Sequence, residues 1–520
     1  MNTQQQDHWA QDLIAPVLLA LVLTAISPVN AQTKPIPGFV NCSIALPPSG
    51  SAAPKPVAIT ADDFNQDGAP DLAVVDAANN QVIVLLTNRT AFRNGNCQGA
   101  TTISTVSVNT GPRSIASGDL GNGTIDLAVA AQTGIVILRG NGTGAFTPDA
   151  TPLNGGPDPR AVAITDIDGD GLPDIVVGNG FGSSVAILYG KTGGGFTAGP
   201  SMSVAGPVTF LVVDNFNNDG FLDIAAGSNG TGNVSVLLQD PEADKLAAAR
   251  FPALEPFNVG TAPTAMVAGD FDNDGAVDLA VTSGGASGEV DISVNDFSLS
   301  GSVSFTPGFS SGPSLLNPSA LAVDDFNRDS NLDLAVANQG DDTARFFLGD
   351  GTGDMTEASD ACGLPGTTLG PCQVEADPVA MVLADVDGDG RNDVITANYN
   401  QSASAGSISV LLSSRPAATP TFTATATATA TGTVTSTATP TDTPTGTPTP
   451  TSTRTPTPTR TPPPTFTFTV SPTPGQQCIG GVCVQGSGCA QIAGNGQPTI
   501  ANVCWGLPVL ILWLLRRRSQ

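Results

Sequence analysis

Residues Asp166-Ile-Asp-Gly-Asp-Gly-Leu-Pro-Asp174 decide the fold, because this nine-residue pattern returns along the chain at nearly even spacing. One of the copies, which begins at Asp119, is degenerate and one residue short. Successive copies begin 56, 47, 49, 55, 55 and 60 residues apart, at Asp63, Asp119, Asp166, Asn215, Asp270, Asp325 and Asp385. A period of this length is typical of propellers and other repeat architectures.

The residues around each copy repeat as well. Val57-Ala-Ile59 precedes the first copy, and Leu72-Ala-Val-Val75 and Val82-Ile-Val-Leu-Leu86 follow it. A Gly-rich turn then leads to an aromatic residue, as in Gly140-Asn-Gly-Thr-Gly-Ala-Phe146, and a weaker fourth strand closes the unit. Four short antiparallel strands in each repeat describe a propeller blade. We therefore predict an all-β fold, a seven-bladed β-propeller of four-stranded blades over residues 32–416.

The sequence also predicts how the ring closes. After its third strand, Ile408 to Leu412, the last repeat has no fourth strand before a Thr/Pro-rich stretch begins. An extra strand-like segment, Phe39-Val-Asn-Cys-Ser-Ile-Ala-Leu46, stands before the first repeat. We predict that this segment supplies the missing strand of the last blade, which would remove two exposed sheet edges.

These repeats resemble the FG-GAP/VCBS family, the bacterial relatives of the integrin α-chain N-terminal propeller. The resemblance covers roughly residues 39–415, and six of the seven loops follow the family pattern D-x-[DN]-x-D-G-x-x-D. The departures are the shortened second loop, Asn215 at a first position and Ser330 where Gly is usual. The resemblance implies a propeller whose metal loops lie on one face and whose partners meet the opposite face.

The repeated loop has the chemistry of a calcium site. Ca²⁺ prefers six to eight oxygen ligands, and side chains at positions 1, 3 and 5 of a tight turn converge on one point. Position 7 offers its carbonyl, position 9 offers both carboxylate oxygens, and Gly at position 6 permits the turn. A plain hairpin turn, an EF-hand or dockerin loop and a magnesium site are the alternatives. Six similar loops, flanking strands instead of helices, and the reluctance of Mg²⁺ to enter an all-protein site favour calcium.

We predict several structural Ca²⁺ ions, held by six loops. Three loops are all-aspartate: Asp166, Asp168, Asp170 and Asp174; Asp270, Asp272, Asp274 and Asp278; Asp385, Asp387, Asp389 and Asp393. One Asn enters the sets Asp63, Asn65, Asp67 and Asp71, and Asp325, Asn327, Asp329 and Asp333; two enter the set Asn215, Asn217, Asp219 and Asp223, which is expected to bind most weakly. The second repeat is expected to bind no metal. Without metal the crowded carboxylates oppose folding, so stability should depend on calcium.

Composition excludes some function classes. The 46 acidic residues against 19 basic ones give a net charge of −27, which argues against nucleic-acid partners. The single histidine, His8, lies in a segment that is expected to be removed, so Ser-His and Cys-His nucleophiles are excluded from the mature chain. We find no catalytic constellation and predict a non-enzyme.

Both ends of the sequence indicate that the protein is exported from the cell. Residues 1–31 are interpreted as a signal peptide, with an apolar run from Leu13 to Ile26 and cleavage after Ala31, although no Lys or Arg precedes the run. A misplaced start codon or a weak signal would explain that departure. Residues 417–474 form a Thr/Pro-rich linker, read as a disordered, extended stalk that O-glycans could decorate, with plain disordered filler as the alternative.

A Cys/Gly-rich segment, residues 475–502, follows the linker, and an apolar segment with a terminal arginine cluster occupies residues 503–520. The apolar run is short for a membrane span, so we interpret it as a sorting or anchor segment. The eight cysteines divide into four in the propeller and four in the tail. We predict a Cys362–Cys372 disulfide and give Cys42–Cys97 as the remaining possibility.

Fold alone does not give function, and three hypotheses remain. The first is a bacterial secreted, cell-surface or outer-envelope adhesion or binding module, a monomeric propeller that recognises a protein or glycan. Its ligand face would hold the connections Asn179 to Ser183, Thr282 to Glu289 and Asn398 to Gly406. The second is an extracellular enzyme of the lyase or phosphoesterase type, and the third is a purely structural surface protein.

Overall fold

A computed structural model of the chain shows a ring of four-stranded antiparallel sheets. The structure describes residues 39–47, 52–94, 101–285, 287–297, 302–312, 314–358, 362, 371–401, 405–413, 476–479 and 482–485. The chain divides into two compact units, residues 1–424 and 425–520. The described part of the second unit is one hairpin, in which β30 (Gln476–Ile479) pairs with β31 (Val482–Gln485).

Blades 1 to 6 are each formed by strands that follow one another in the chain, from an inner strand outward. Blades 1 to 3 contain β2 (Pro56–Asp62), β3 (Asp71–Asp76), β4 (Gln81–Leu86) and β5 (Thr101–Ser107); β6 (Pro112–Gly118), β7 (Asp126–Ala131), β8 (Gly134–Gly140) and β9 (Phe146–Pro148); β10 (Pro159–Thr165), β11 (Asp174–Asn179), β12 (Ser184–Gly190) and β13 (Phe196–Ser203). A short helix, α1 (Arg89–Arg93), lies between β4 and β5, and the side chain of Asn88 caps it by accepting from the Ala91 amide.

Blades 4 to 6 repeat the same order. They contain β14 (Phe210–Asp214), β15 (Asp223–Ser228), β16 (Asn233–Leu237) and β17 (Phe257–Asn258); β18 (Pro263–Gly269), β19 (Asp278–Ser283), β20 (Glu289–Asn295) and β21 (Phe305–Ser310); β22 (Pro318–Asp324), β23 (Asp333–Asn338), β24 (Thr343–Gly349) and β25 (Met355–Glu357). A further short strand, β26 (Cys372–Gln373), also pairs with β24.

The ring closes as the sequence predicts. Blade 7 consists of β27 (Pro378–Ala384), β28 (Asp393–Asn400), β29 (Ala405–Ser413) and β1 (Phe39–Ala45), which is the outer strand although it comes first in the chain. β1 and β29 are antiparallel, with Phe39 opposite Ser413. The Phe39 ring stacks on Phe346 of blade 6, with centroids 4.6 Å apart. The predicted closing strand is therefore confirmed.

The core of the propeller is divided among the spaces between blades. The second strand of every blade is buried along its whole length, except that β28 is buried only as far as Asn398. Leu72 to Val75 in β3, for example, have 0% exposure. Neighbouring blades cover both faces of these strands. The described residues form seven apolar clusters, one between each pair of neighbouring blades, including blades 7 and 1. This arrangement explains why these strands read as continuous apolar runs instead of alternating patterns.

Cysteine pairing in the first unit agrees with the sequence analysis where it is described. Cys362 and Cys372 form a disulfide, with their Cα atoms 4.9 Å apart. Cys42 is also disulfide-bonded, and its predicted partner, Cys97, lies outside the described residues. The predicted signal peptide, the linker and the apolar C-terminal segment also lie outside them. No helix among the described residues has the length and apolarity that a membrane crossing requires.

Candidate metal centres

Seven acidic loops join the inner strand of each blade to its second strand, so all of them lie on one face of the ring. We number them by blade: loops 1 to 7 are residues 63–71, 119–126, 166–174, 215–223, 270–278, 325–333 and 385–393. Position 6 of the six full-length loops has a left-handed backbone, with φ between +84° and +91° at the five glycines and +75° at Ser330. Gly adopts this conformation at no steric cost, which explains the recurring Asp-Gly step.

The three all-aspartate loops each bring carboxylates together. Positions 1, 3 and 9 of these loops offer oxygen atoms that lie within 4.8 Å of one another. These triads are Asp166, Asp168 and Asp174; Asp270, Asp272 and Asp278; and Asp385, Asp387 and Asp393. Hard oxygen donors converging at this spacing could hold a metal ion, and they fit Ca²⁺ by chemistry. These are the same three loops that the sequence identifies as all-aspartate.

Backbone amides hold one side of each loop in place. In loop 3, the Asp170 amide donates to Oδ1 of Asp166 (3.0 Å) and of Asp168 (3.2 Å), and the Leu172 amide donates to Oδ1 of Asp170 (2.9 Å). The same bonds recur in loop 5 and loop 7. In loop 3 the second oxygen of Asp168 and of Asp170 takes no part in these backbone bonds.

Loops 1, 4 and 6 replace part of the carboxylate charge with amide groups. The Nδ2 group of the position-3 asparagine donates to the position-5 aspartate, at 3.0 Å from Asn65, 2.9 Å from Asn217 and 2.9 Å from Asn327. In loop 4 a second amide, Asn215 at position 1, accepts from the Asp219 amide at 3.2 Å. In these three loops the asparagine amide groups donate hydrogen bonds to the position-5 carboxylates, and so they partly take the place of a cation. The all-aspartate loops have no such amide groups at position 3, and their stability should therefore depend on metal most.

Position 9 fastens each blade internally. In all seven blades the carboxylate at this position has 0% exposure and accepts from a backbone amide at the end of the third strand, at 2.7–2.9 Å. Burial raises the pKa of Asp71, Asp278, Asp333 and Asp393 to about 7, because loss of hydration outweighs the backbone hydrogen bonds. For the same reason the pKa values of Asp174 and Asp223 rise to about 6. These carboxylates need a positive charge nearby to stay ionised comfortably.

Loop 2 supplies that positive charge from the chain itself. Nη1 of Arg139, at the end of β8, lies 2.8 Å from Oδ2 of Asp126, the last residue of the shortened loop. The other oxygen of Asp126 accepts from the Gly140 amide and from Nδ2 of Asn122, both at 2.8 Å. The remaining blades have Leu, Tyr or Val at the position of Arg139. This arginine was not predicted from the sequence, which indicated only that loop 2 lacks a full set of metal ligands.

Loops 1, 3, 4 and 5 are also tied to the next blade. In each of these four loops the carbonyl at position 2 accepts a hydrogen bond from the end of the third strand of the following blade or from the connection after it. The donors are the Gly144 amide to Phe64, Gln239 Nε2 to Ile167, Asn295 Nδ2 to Phe216 and the Gly353 amide to Phe271. Position 2 is itself a buried apolar side chain in every loop. A loop that rearranged would therefore disturb the contact between two blades.

Position 4 adds a second link between neighbouring loops. Gln66 Nε2 donates to the Gly123 carbonyl (3.3 Å), and Asn218 Nδ2 donates to the Gly275 carbonyl (2.9 Å). Asn273 reaches Asn331 in loop 6 (2.9 Å), and Arg328 reaches the Gly390 carbonyl. Loops 3 and 7 have Gly at this position and cannot make such a link. This set of contacts was not anticipated from the sequence, although the run of amide and guanidinium donors at position 4 is its signal.

Comparisons with known proteins agree with this architecture. An FG-GAP-like repeat model matches residues 120–177, 215–281 and 325–396, and an FG-GAP repeat model matches residues 159–197. Cartilage acidic protein 1 of Homo sapiens is 33% identical over 196 residues, which cover 34% of this chain and 29% of that protein. The Mus musculus protein is 32% identical over 163 residues, which cover 28% of this chain and 25% of that protein. The chain thus matches less than a third of the length of these curated relatives.

A solved structure of a protein from Lactobacillus plantarum aligns with 70% of this chain and 90% of that one, at 13% identity and a TM-score of 0.44. The matched repeat segments carry the acidic loops of blades 2 to 7. Since each matched loop lies between the first two strands of one blade, the repeat of the sequence and the blade of the structure are the same unit. The chain contains FG-GAP repeats, and they form the blades of its seven-bladed β-propeller.

Proposed function

We propose that this propeller is a calcium-stabilised extracellular or cell-surface binding module that recognises a protein or a glycan, without catalysis, on the face opposite the acidic loops. Ca²⁺ would be held in the six full-length loops by the side chains at positions 1, 3, 5 and 9. The ion would supply the charge that the crowded carboxylates lack and so stabilise the ring. The name of the human relative, cartilage acidic protein 1, is consistent with an acidic extracellular protein.

The observation that carries the proposal is a polar groove on the opposite face. Two adjoining cavities of about 460 and 320 Å³ share Asn317 and Gln339, and they extend across the inner ends of blades 4 to 7. Their lining consists mostly of amide, hydroxyl and carboxylate side chains, including Asp342, Asp377 and Gln401. Planar amide and carboxylate groups can hydrogen-bond to sugar hydroxyls or to a peptide backbone.

The connections between second and third strands surround this groove. Asn400 and Gln401, from the connection of blade 7 that the sequence analysis singled out, contribute to its lining. On the same face, Phe181 in the connection of blade 3 is 63% exposed, and an exposed aromatic side chain is a common anchor in protein interfaces. The acidic loops lie at the other ends of the strands, so the ligand would not compete with their metal.

A binding screen with matched variants tests the proposal. The propeller would be applied to glycan and peptide arrays, and hits would be titrated against the wild type and a Gln339→Ala/Gln401→Ala double variant. We expect the double variant to lose at least about tenfold in affinity, since several hydrogen bonds to the ligand would be lost. Thr192→Ala is the control, because Thr192 is exposed on the acidic-loop face. Equal loss in both variants, or no ligand in either array, would count against a binding groove here.

A further inference from the structure

A lysine side chain reaches into loop 3 from the neighbouring blade. Lys245 belongs to the connection between β16 and β17 of blade 4, and its ammonium group forms ion pairs with the carboxylates of Asp168 and Asp170. The nitrogen lies 3.1 Å from Oδ2 of Asp170. Asp168 is almost fully buried, with 3% of its side chain exposed. The positive charge is thus held between two of the side chains that are predicted to bind calcium.

The atoms that Lys245 contacts are the ones that the backbone leaves available. Oδ1 of Asp168 and Oδ1 of Asp170 each accept from a backbone amide of the loop. The lysine contacts Oδ2 of both residues instead. A calcium ion held by positions 3 and 5 of loop 3, as the sequence predicts, would bind these same two oxygens. The ammonium and a metal ion therefore cannot use them together without one giving way.

Hydrogen bonds of Arg250 and a contact with Tyr189 hold Lys245 in position. The guanidinium of Arg250, which is buried, donates to the carbonyls of Pro241 and Ala243 (3.3 and 3.2 Å), on the approach to Lys245. It also donates to Gln239 at 2.8 Å. The Lys245 ammonium in turn lies 4.4 Å from the centre of the Tyr189 ring, a cation–π contact. These contacts fix the course of the connection and direct the side chain over loop 3.

We propose that Lys245 is a built-in competitor of calcium in loop 3, so that this blade binds the ion more weakly than its four aspartates imply. Calcium binding there must displace the ammonium group, which exchanges an ion pair between blades 3 and 4 for a metal ion within blade 3. At low calcium concentration Lys245 neutralises the loop and holds the two blades together. The inference rests on the metal assignment within the proposed function, and it does not depend on the ligand groove.

Two other basic residues that contact acidic loops, Arg139 and Arg93, provide a comparison with Lys245. Arg139 is paired with Asp126 in the degenerate loop 2, where no full set of ligands exists. Arg93 of α1 reaches loop 7, but it donates to the backbone carbonyls of Asp387 and Gly388. Those carbonyl contacts leave the Asp387 carboxylate to a metal. Lys245 alone of these three basic residues contacts ligand oxygens of a full-length loop.

Tyr189 offers a local probe for the experiment. Terbium replaces calcium in oxygen sites, and its emission is sensitised by a nearby aromatic ring. The chain contains two tyrosines; Tyr189 contacts Lys245 at loop 3, whereas Tyr399 contacts Lys55 at the opposite face. Tyrosine-sensitised emission during a terbium titration should therefore report loop 3. A Tyr189→Phe variant identifies the part of the signal that comes from this site.

The titration compares the wild type with Lys245→Met. We expect Lys245→Met to lower the half-saturating terbium concentration roughly tenfold or more, the size expected for removal of a competing charge-assisted contact. Lys191→Met, which removes an exposed lysine from the same face, should change it less than about twofold. In a competition titration, the calcium concentrations that displace terbium should rank the variants by affinity in the same order as the terbium titration does.

Thermal melting supplies a second measurement on the same variants. Lys245→Met should lower the melting temperature of the metal-free protein and enlarge the gain that calcium produces, because the loop then lacks its internal cation. An unchanged or weaker terbium affinity in Lys245→Met would overturn the proposal, as would an equal shift in Lys191→Met. Absence of Tyr189-dependent emission in every variant would overturn both the competition and the metal assignment of loop 3, and it would leave the ligand groove untouched.

Discussion

Removal of metal should reverse the way in which the stability of this propeller responds to pH. In the metal-free protein, burial raises the pKa of four position-9 aspartates from 3.8 to about 7 and of two others to about 6. The folded protein therefore holds these protons more tightly than the unfolded chain does. The stabilisation that results is fully present below about pH 4 and is lost as the pH rises through about 6 to 7.

The magnitude is large enough to decide the outcome. A rise from 3.8 to about 7 in the pKa of one carboxylate, at about 1.4 kcal/mol per unit, corresponds to about 4 kcal/mol lost on full ionisation. Domains of this kind are stable by only about 5–15 kcal/mol. Ionisation of two such groups without a metal would therefore remove about 8 kcal/mol, or about 4 kcal/mol if relaxation of the loops halves the effect, which is a large share of that stability.

Differential scanning calorimetry of protein freed of metal on a chelating resin tests this reasoning. We expect the melting temperature of the metal-free protein to fall between about pH 5 and about pH 8. With millimolar calcium the melting temperature should instead rise over this interval, because the ion binds the ionised carboxylates and its affinity increases with pH. Magnesium at the same concentration is the control. A metal-free melting temperature that rises over this interval would refute the reasoning, and so would equal pH profiles with and without calcium.

Three single substitutions test other parts of the structure by urea or guanidinium unfolding. Phe39→Ala should lower the free energy of unfolding by about 3–5 kcal/mol, since it removes a buried ring from the closing strand. Ser43→Ala in the same strand is the control, and a similar small effect for both substitutions would contradict a closing role. Ser330→Gly should stabilise the protein by about 1 kcal/mol, because Gly adopts a positive φ without strain; a loss would show that the Ser330 side chain makes a needed contact. Arg139→Met should lower the free energy of unfolding by about 3 kcal/mol or more, because it leaves the Asp126 carboxylate buried and without its cation. Calcium should not restore the lost stability, and full rescue by calcium would mean that loop 2 binds metal.

The sequence predicts the ring because one repeat contains one blade. The apolar runs around loop 1 and the other loops mark second and third strands that are buried on both faces, so their pattern can be read without knowledge of the neighbours. The closing role of the strand that begins at Phe39 follows from a count, since the last repeat lacks a strand and the first has one too many. The Cys362–Cys372 pair is local in sequence. These features depend on short stretches of chain.

Contacts between blades were beyond the same reasoning. Lys245 lies far along the chain from Asp168, and nothing in the irregular connection around it has a period that would reveal where its side chain points. Arg139 could have been noticed, because it interrupts a position that is otherwise Leu, Tyr or Val. The helix α1 was missed because five residues are too few to show a helical period. The groove was missed because its lining comes from four blades and requires the closed ring.

The pairing of the first strand with the last also determines the order in which the molecule can assemble. Blades 1 to 6 each pair strands that are close together in the chain, so these sheets can form as soon as their residues are available. β1 has to wait until β29 exists, because its partner in the sheet, from Ser407 to Ser413, comes at the other end of the propeller. Contacts between distant residues form slowly, and we expect closure of the ring to limit the folding rate. A chain interrupted before residue 405 would hold six complete blades and an open edge on which another chain could pair.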